Sequence, residues 1–337
     1  MKWLLKLVYA VNIVLALISL LAYVSPFVNP SLTWFFSFFA IGFPILLIAH
    51  IIFMVFWLVN KPKYLLLSFL TLALGFFPLK RTIGFHNNKP DNKGVNIMSY
   101  NIGHSKYFFD EDPDGRAEEF KSFIGKYNPA VVCLQERTRR HLELYDKIFD
   151  SYHLIPDDYI GTCIYSRLPV INSGNIYFDT NAHNATWADL VQGKDTFRVY
   201  SIHLSSNKVV RPGDDIKEIW ERSLFILDKY NFHALKRTEQ IKTILEHSSQ
   251  SPYPVMLTGD FNDVPQSYLY REVCQQYDDA FLQYGKGFGK THKTTLPILR
   301  IDYSFHSSDL PVSDFRVVKS DYSDHYPLIT TLNFKNS

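Results

Sequence analysis

The stretch Leu257-Thr258-Gly259-Asp260-Phe261-Asn262-Asp263 decides how the rest of the chain is read. The apolar run Val255-Met256-Leu257 predicts a strand, and beyond Gly259 it delivers Asp260 and Asn262 two residues apart, on one face of an extended backbone. Gly, Asp and Asn are also favoured turn residues, so the stretch by itself reads equally well as a turn. Its meaning depends on whether other strand ends bring matching chemistry.

Working outward, they do. Upstream, Phe197 to Leu204 reads as a strand carrying His203, paired with Thr186 to Leu190 across the turn Gln192 to Asp195. Val95 to Asn101 predicts a strand with Asn101 at its end. Gly115 to Tyr127 has apolar residues at helical spacing, and Pro129 to Leu134 predicts a buried strand ending in Gln135-Glu136. Gly161 to Arg167 adds another short strand. Downstream come Arg300-Ile301-Asp302-Tyr303, then Ser323-Asp324-His325 before a last strand, Ile329 to Phe334. Between His203 and the opening stretch, Asp214 to His247 is expected to be mostly helical, as a crossover helix covering the sheet or as a lip that touches the site or lipid.

Carboxylates and amides at strand ends suit a hard cation such as Mg²⁺, which takes oxygen ligands. Histidines among them suit proton transfer and contact with an anionic oxygen. The combination matches metal-assisted attack of water on a phosphate ester. Each residue has an ordinary structural explanation: Glu136 next to Arg137 as an ion pair, His203 as a strand histidine, Asp324-His325 as a loop turn. Their joint occurrence, in order, favours a site.

The ordered set Asn101, Leu134-Gln135-Glu136, Ser201-Ile202-His203-Leu204, Gly259-Asp260-Phe261-Asn262, Arg300-Ile301-Asp302-Tyr303 and Ser323-Asp324-His325 resembles the endonuclease/exonuclease/phosphatase superfamily. The resemblance spans roughly Val95 to Phe334. It implies an α/β fold, a four-layer sandwich of two packed mixed sheets flanked by helices. It also implies roles: Glu136, Asn101 and Asp324 at the metal, Mg²⁺ with Mn²⁺ as the alternative, and Asp260 and Asn262 on the attacking water. Asp302 would orient His325, which meets the phosphate or acts as a base, and His203 would bind the phosphate or assist the leaving group. The acid that partners the first histidine in deoxyribonuclease I is not found.

The first 81 residues are of another kind. They hold six of the 35 basic residues and none of the 33 acidic ones, which leaves the remainder with four more acids than bases. Such a body lacks the cationic surplus expected of a phosphate-tracking nucleic-acid protein. Residues 7–24 and 34–59 are each long enough to span a bilayer, and 64–79 is a shorter third segment. A cleavable signal peptide fits less well, because no small-residue cleavage pattern follows the first segment. Lys2, Lys6, Lys61 and Lys63 predict a cytoplasmic amino terminus and second loop, with the body outside the cytoplasm of a plasma or inner membrane if the third segment crosses. Trp34, Trp57 and Tyr64 suit interfacial anchoring.

The expected organisation is therefore a transmembrane region over 1–80, a polar linker over 81–94 and a catalytic domain over 95–337. Cys133, Cys163 and Cys274 form neither a disulfide framework nor a zinc site. The expected function is membrane-anchored hydrolysis of a phosphate ester, a lipid headgroup or small molecule ahead of DNA. The alternatives are a metal-dependent nuclease or a non-catalytic membrane scaffold. No protein partner is indicated.

Overall fold

The computed structural model describes residues 2–33, 35–86, 94–105, 112–138, 142–155, 161–178, 184–206, 216–294 and 298–334. Trp34, half of the expected linker and the start of the helical insertion lie outside them. Two compact units emerge. One combines Met1–Thr82 with Ser206–Thr238 and Asp263–Glu272; the other contains Ile83–Ser205, Glu239–Asn262 and Val273–Ser337.

The first unit is built on helices α1 (Lys2–Val24), α2 (Phe35–Asn60), α3 (Leu65–Leu74) and the short α4 (Phe76–Lys80). The helical stretches Trp3–Phe27 and Phe35–Asn60 are long and apolar enough to cross a bilayer. The third apolar helix, Pro62–Leu74, is shorter, because the helix breaks at Gly75 before resuming in α4. Inside this bundle runs a buried polar chain. Trp57 Nε1 donates to Asn12 Oδ1 (2.9 Å), Asn12 Nδ2 to Ser68 Oγ (2.9 Å), and the two His50 nitrogens meet Ser68 Oγ (3.1 Å) and Ser19 Oγ (3.0 Å). Ser19 Oγ donates to Leu15 O, so it must accept from His50 Nε2–H, which leaves Nδ1 to accept from Ser68. Asn12, Ser19, His50, Trp57 and Ser68 thereby each have a partner, as a low-dielectric interior requires.

The same unit takes in two segments from far along the chain. Tyr230 donates to Ser37 O (2.9 Å), Gln266 Nε2 to Thr82 Oγ1 (2.7 Å) and Pro78 O (3.1 Å), and Arg271 lies over the Phe27 ring. Buried Arg237 faces Asp263 at 3.4 Å.

The second unit opens with the two-residue strand β1 (Gly84–Phe85), inside the span expected as linker. It continues through β2 (Val95–Asn101), α5 (Pro113–Tyr127), β3 (Val131–Arg137), α6 (Leu142–Ile148), β4 (His153–Ile155), β5 (Gly161–Ser166), β6 (Val170–Tyr177), β7 (Asn184–Gln192) and β8 (Asp195–His203). Then come α7 (Ile216–Ser249), which belongs to this unit from Glu239 onward, β9 (Val255–Asp260), α8 (Tyr268–Val273), which belongs to the first unit up to Glu272, β10 (Asp278–Asp279), α9 (Ala280–Tyr284), β11 (Lys286–Gly287), β12 (Asp302–His306), β13 (Val312–Val317) and β14 (Leu328–Leu332). Two six-stranded sheets result, ordered β13-β14-β2-β3-β5-β4 and β10-β12-β9-β8-β7-β6, while β1 pairs with β11. Both large sheets are mixed: β2/β3 and β8/β9 are parallel and the remaining pairs antiparallel.

The alternation of side chains explains the layers. One face of the first sheet (Ile97, Val131, Cys133, Ile164) packs against Ala188, Leu190, Val199 and Met256 of the second. Its other face (Met98, Tyr100, Val132, Leu134) is covered by Phe120 and Phe123 of α5 and by Leu144 and Ile148 of α6. The carboxyl-terminal part of α7 buries Ile241, Ile244 and Leu245 and places His247 against Tyr200 and Trp187 of the second sheet, which is the expected crossover helix. This is the four-layer α/β sandwich that the ordered motifs imply.

Candidate active site

Strand register assembles the site. Asp260 of β9 is paired with His203 of β8 on one side and Asp302 of β12 on the other, so three functional side chains form one row across the second sheet. In the first sheet, Asn101 is paired with Gln135. Asn101 Nδ2 then donates to Asp260 Oδ2 at 2.9 Å and joins the two sheets. Beside it, Gln135 Nε2 donates to Ser99 Oγ (3.3 Å) and Ser201 Oγ (3.0 Å), a second polar link between the sheets.

Glu136 owes its position to irregular backbone. The β3/β5 register shifts between Leu134 and Arg137, and Glu136 has φ of 59°. A bulge of this kind re-aims a side chain. The Glu136 carboxylate meets His104 Nε2 at 3.0 Å and His203 Nε2 at 3.6 Å, while Arg137 carries its guanidinium over the rings of Tyr145 and Tyr165. Asn262 also has positive φ, 53°, with its backbone N–H donating to Asp260 Oδ1 (2.9 Å) and its amide to Leu204 O (3.0 Å). Among the described residues four non-glycine positions have positive φ: His104, Asn128, Glu136 and Asn262. Asn128 caps α5; the other three surround these acids, and such strain concentrates at functional sites.

The electrostatics follow from burial and proximity. Asp260 is 1% exposed, and burial, reinforced by the charge of Asp302, pushes its carboxyl up to about 6, against the pull of His325 and His203. His325 Nδ1 lies 2.9 Å from Asp302 Oδ2, and its Nε2 lies 3.8 Å from Asp260 Oδ2. Burial disfavours the imidazolium, but Asp302 and Asp260 outweigh it and raise His325 to about 10, so the ring is charged at neutral pH. Burial and then the charge of His325 lower neighbouring His292 to about 4.

Of the residues expected from sequence, Asn101, Glu136, His203, Asp260, Asn262, Asp302 and His325 converge through these contacts. Asp324 lies at the rim, half-exposed, with Oδ2 3.8 Å from His292 Nε2. Among the described residues, two groups of three place ligand atoms within 4.8 Å of one another, Asp260–Asp302–His325 and His292–Asp324–His325, and Glu136 is in neither. Sequence reading missed His104 and His292. His104 stands three residues after Asn101 and His292 follows Thr291 in a turn-rich stretch; neither has a periodicity that marks it, and only their tertiary partners do.

Two packed sheets whose strand ends gather acids, amides and a charged histidine define the class of α/β phosphoester hydrolases. The chain belongs to the endonuclease/exonuclease/phosphatase family, whose profile matches residues 98–325. Members of this family are metal-dependent phosphoesterases, and this chain is one. A second profile, described as a domain of unknown function, matches residues 5–82.

Solved structures agree on the fold. A humanized D. rerio TDP2 is 21% identical, with a TM-score of 0.53 over 71% of this chain and 99% of that one. D. rerio TDP2 complexed with a single-strand DNA product is 20% identical, with a TM-score of 0.52 over 72% of this chain and 100% of the other. A mannosyl-6-phosphatase from Bacteroides thetaiotaomicron is 16% identical, with a TM-score of 0.53 over 71% and 100%. No curated protein sequence matches the chain.

Proposed function

We propose that the chain is a membrane-anchored, Mg²⁺-dependent phosphoesterase acting on a small phosphate ester or a lipid headgroup. The observation that carries the chemistry is the convergence of Asp260, Asn101, His203, Asp302 and His325 at the row of strand ends, with Glu136 turned toward His203 by its bulge. The donor set fits a hard divalent ion: oxygens of Glu136, Asn101 and Asp324, the Glu136 carboxylate being buried. A bound divalent ion would neutralise phosphate charge and polarise the ester.

The chain's own residues supply the rest. Asp260 is held at both oxygens, by Asn101 and by the Asn262 backbone, so its carboxylate is oriented to take a proton from a water. Charged His325, oriented by Asp302, donates from Nε2 to a phosphoryl oxygen and stabilises charge that grows in the transition state. His203 stands within 4 Å of Glu136 and Asp260, placed to meet another phosphoryl or leaving oxygen.

The substrate preference rests on the acidic balance of the body and on the two apolar helices of the head. A nuclease is the second reading, favoured by the likeness to TDP2 crystallised with a DNA product; the mannosyl-6-phosphatase keeps small esters open on the same fold. Full-length protein in detergent should be assayed with Mg²⁺ on sphingomyelin, phosphoinositides, sugar phosphates and plasmid DNA. Hydrolysis of a lipid or sugar phosphate supports the proposal. Cleavage of DNA alone would overturn the preference, and full activity in excess chelator would overturn metal dependence.

A further inference from the structure

The turn-rich stretch before Arg300-Ile301-Asp302 contains a histidine that the mechanism above does not use. Tyr326 N donates to Thr291 O and Lys293 N to Asp324 O, both at 2.7 Å, so residues 291–293 run antiparallel to 324–326. His292 therefore stands directly opposite His325. The two rings meet at right angles with centroids 4.6 Å apart, and His292 Nε2 is 3.8 Å from Asp324 Oδ2. One ligand atom from each of His292, Asp324 and His325 lies within 4.8 Å of the other two.

Three features favour a cation site here over an accident of packing. The backbone pairing fixes all three side chains on one short ladder. Asp302 binds His325 through Nδ1, which leaves Nε2 as the ligating nitrogen, the arrangement in which a carboxylate orients a metal-bound imidazole. The donors are two imidazoles and one carboxylate. Mg²⁺ prefers oxygen, whereas this set suits first-row transition ions and binds Zn²⁺ near the top of the affinity order.

We propose that His292, Asp324 and His325 form an inhibitory transition-metal site of the Zn²⁺ type. An ion there replaces the proton on His325 Nε2, which is released to solvent, and holds Asp324, so hydrolysis and occupancy exclude each other. The inhibitory consequence rests on the reading in which His325 contacts the substrate phosphate; the binding site does not.

The test uses full-length, metal-stripped protein in detergent, without Mg²⁺ in the binding measurements because Asp324 is shared with the Mg²⁺ ligand set, and with Mg²⁺ in the hydrolysis assays. Co²⁺ is titrated in as a spectroscopic stand-in and followed by visible absorption, Zn²⁺ by calorimetry. One ion per chain is expected, and His292→Ala and His292→Gln should each weaken binding roughly 10–100-fold, the loss typical of disturbing a metal site. The Zn²⁺ concentration that halves hydrolysis, each protein normalised to its own Mg²⁺ rate, should rise by the same factor. Absence of Co²⁺ binding to the wild-type protein, or equal binding by both variants, would overturn the site. Binding without inhibition would overturn the regulatory role. Binding by a protein that hydrolyses no phosphate ester would leave the site standing and sink the reading of function.

Discussion

Glu136 and Asn262 hold left-handed backbone that costs a non-glycine residue about 1–2 kcal/mol each. Neither conformation is needed to satisfy a strand, so each is retained for what the side chain does. Glu136→Gly should therefore fold with an unfolding midpoint at or above wild type while hydrolysis falls by at least ~10²-fold; paired thermal melts and rate assays decide it. A drop in midpoint would mean that Glu136 serves the fold. Asp302→Asn removes the charge that keeps His325 an imidazolium, and should lower the rate by about 10²–10⁴-fold with the fold intact, read by steady-state kinetics and circular dichroism. His247, hydrogen-bonded to Tyr200 at 2.8 Å, gives a pH dependence. Burial lowers its folded-state value below the ordinary 6.5. Below 6.5 the unfolded chain binds a proton that the folded chain refuses, so stability is lost as pH falls through that range and is insensitive to this group above it. Denaturant melts from pH 7.5 to 5 should show the loss, and His247→Gln should flatten it; the range is roughly that in which an unperturbed imidazole titrates.

At the scale of elements, the parallel pair β8/β9 carries the row of functional residues because the two strands approach closely at Gly259. Its φ is 142°, and a Cβ there would stand 2.0 Å from Ile202 O. Gly259→Ala is expected to cost about 3 kcal/mol or more, combining strain with overpacking. Equilibrium unfolding should show a large shift or no folded protein; a wild-type midpoint would contradict the close approach. The short ladder of residues 291–293 with 324–326 is the other decisive element, since it sets the backbone on which Asp324 and His325 sit.

At the scale of the molecule, the apolar head is more than an acid-free stretch before a body. Its compact unit includes Ser206–Thr238 and Asp263–Glu272, segments that follow the strands bearing His203 and Asp260. A chain beginning at residue 83 would strip Tyr230, Gln266 and Arg271 of partners on the head helices. Such a truncation is expected to aggregate without detergent, whereas the full chain in detergent elutes as a defined species on size exclusion; a soluble, monodisperse truncation would argue that the two segments repack. Within the head, Asn12→Leu breaks the chain from Trp57 to His50 and should destabilise the bundle by about 1 kcal/mol, measured in detergent.

How much was legible beforehand varies with the kind of interaction. Alternating apolar runs ending in polar residues determined the strands, the ordered acids, amides and histidines determined the chemistry, and the acid-free apolar start determined two bilayer-length helices. These properties are local, set by periodicity and by side-chain type along the chain. Only the tertiary structure decided that Asp260 is gripped by Asn101 from the other sheet, that the Asp302 expected beside His325 outweighs burial and keeps its ring charged, and that His104 and His292 belong at the site at all. Those pairings depend on strand register, on a bulge at Glu136 and on the packing of one sheet against another. They join residues between 23 and 159 positions apart, a separation over which linear spacing carries no information about contact.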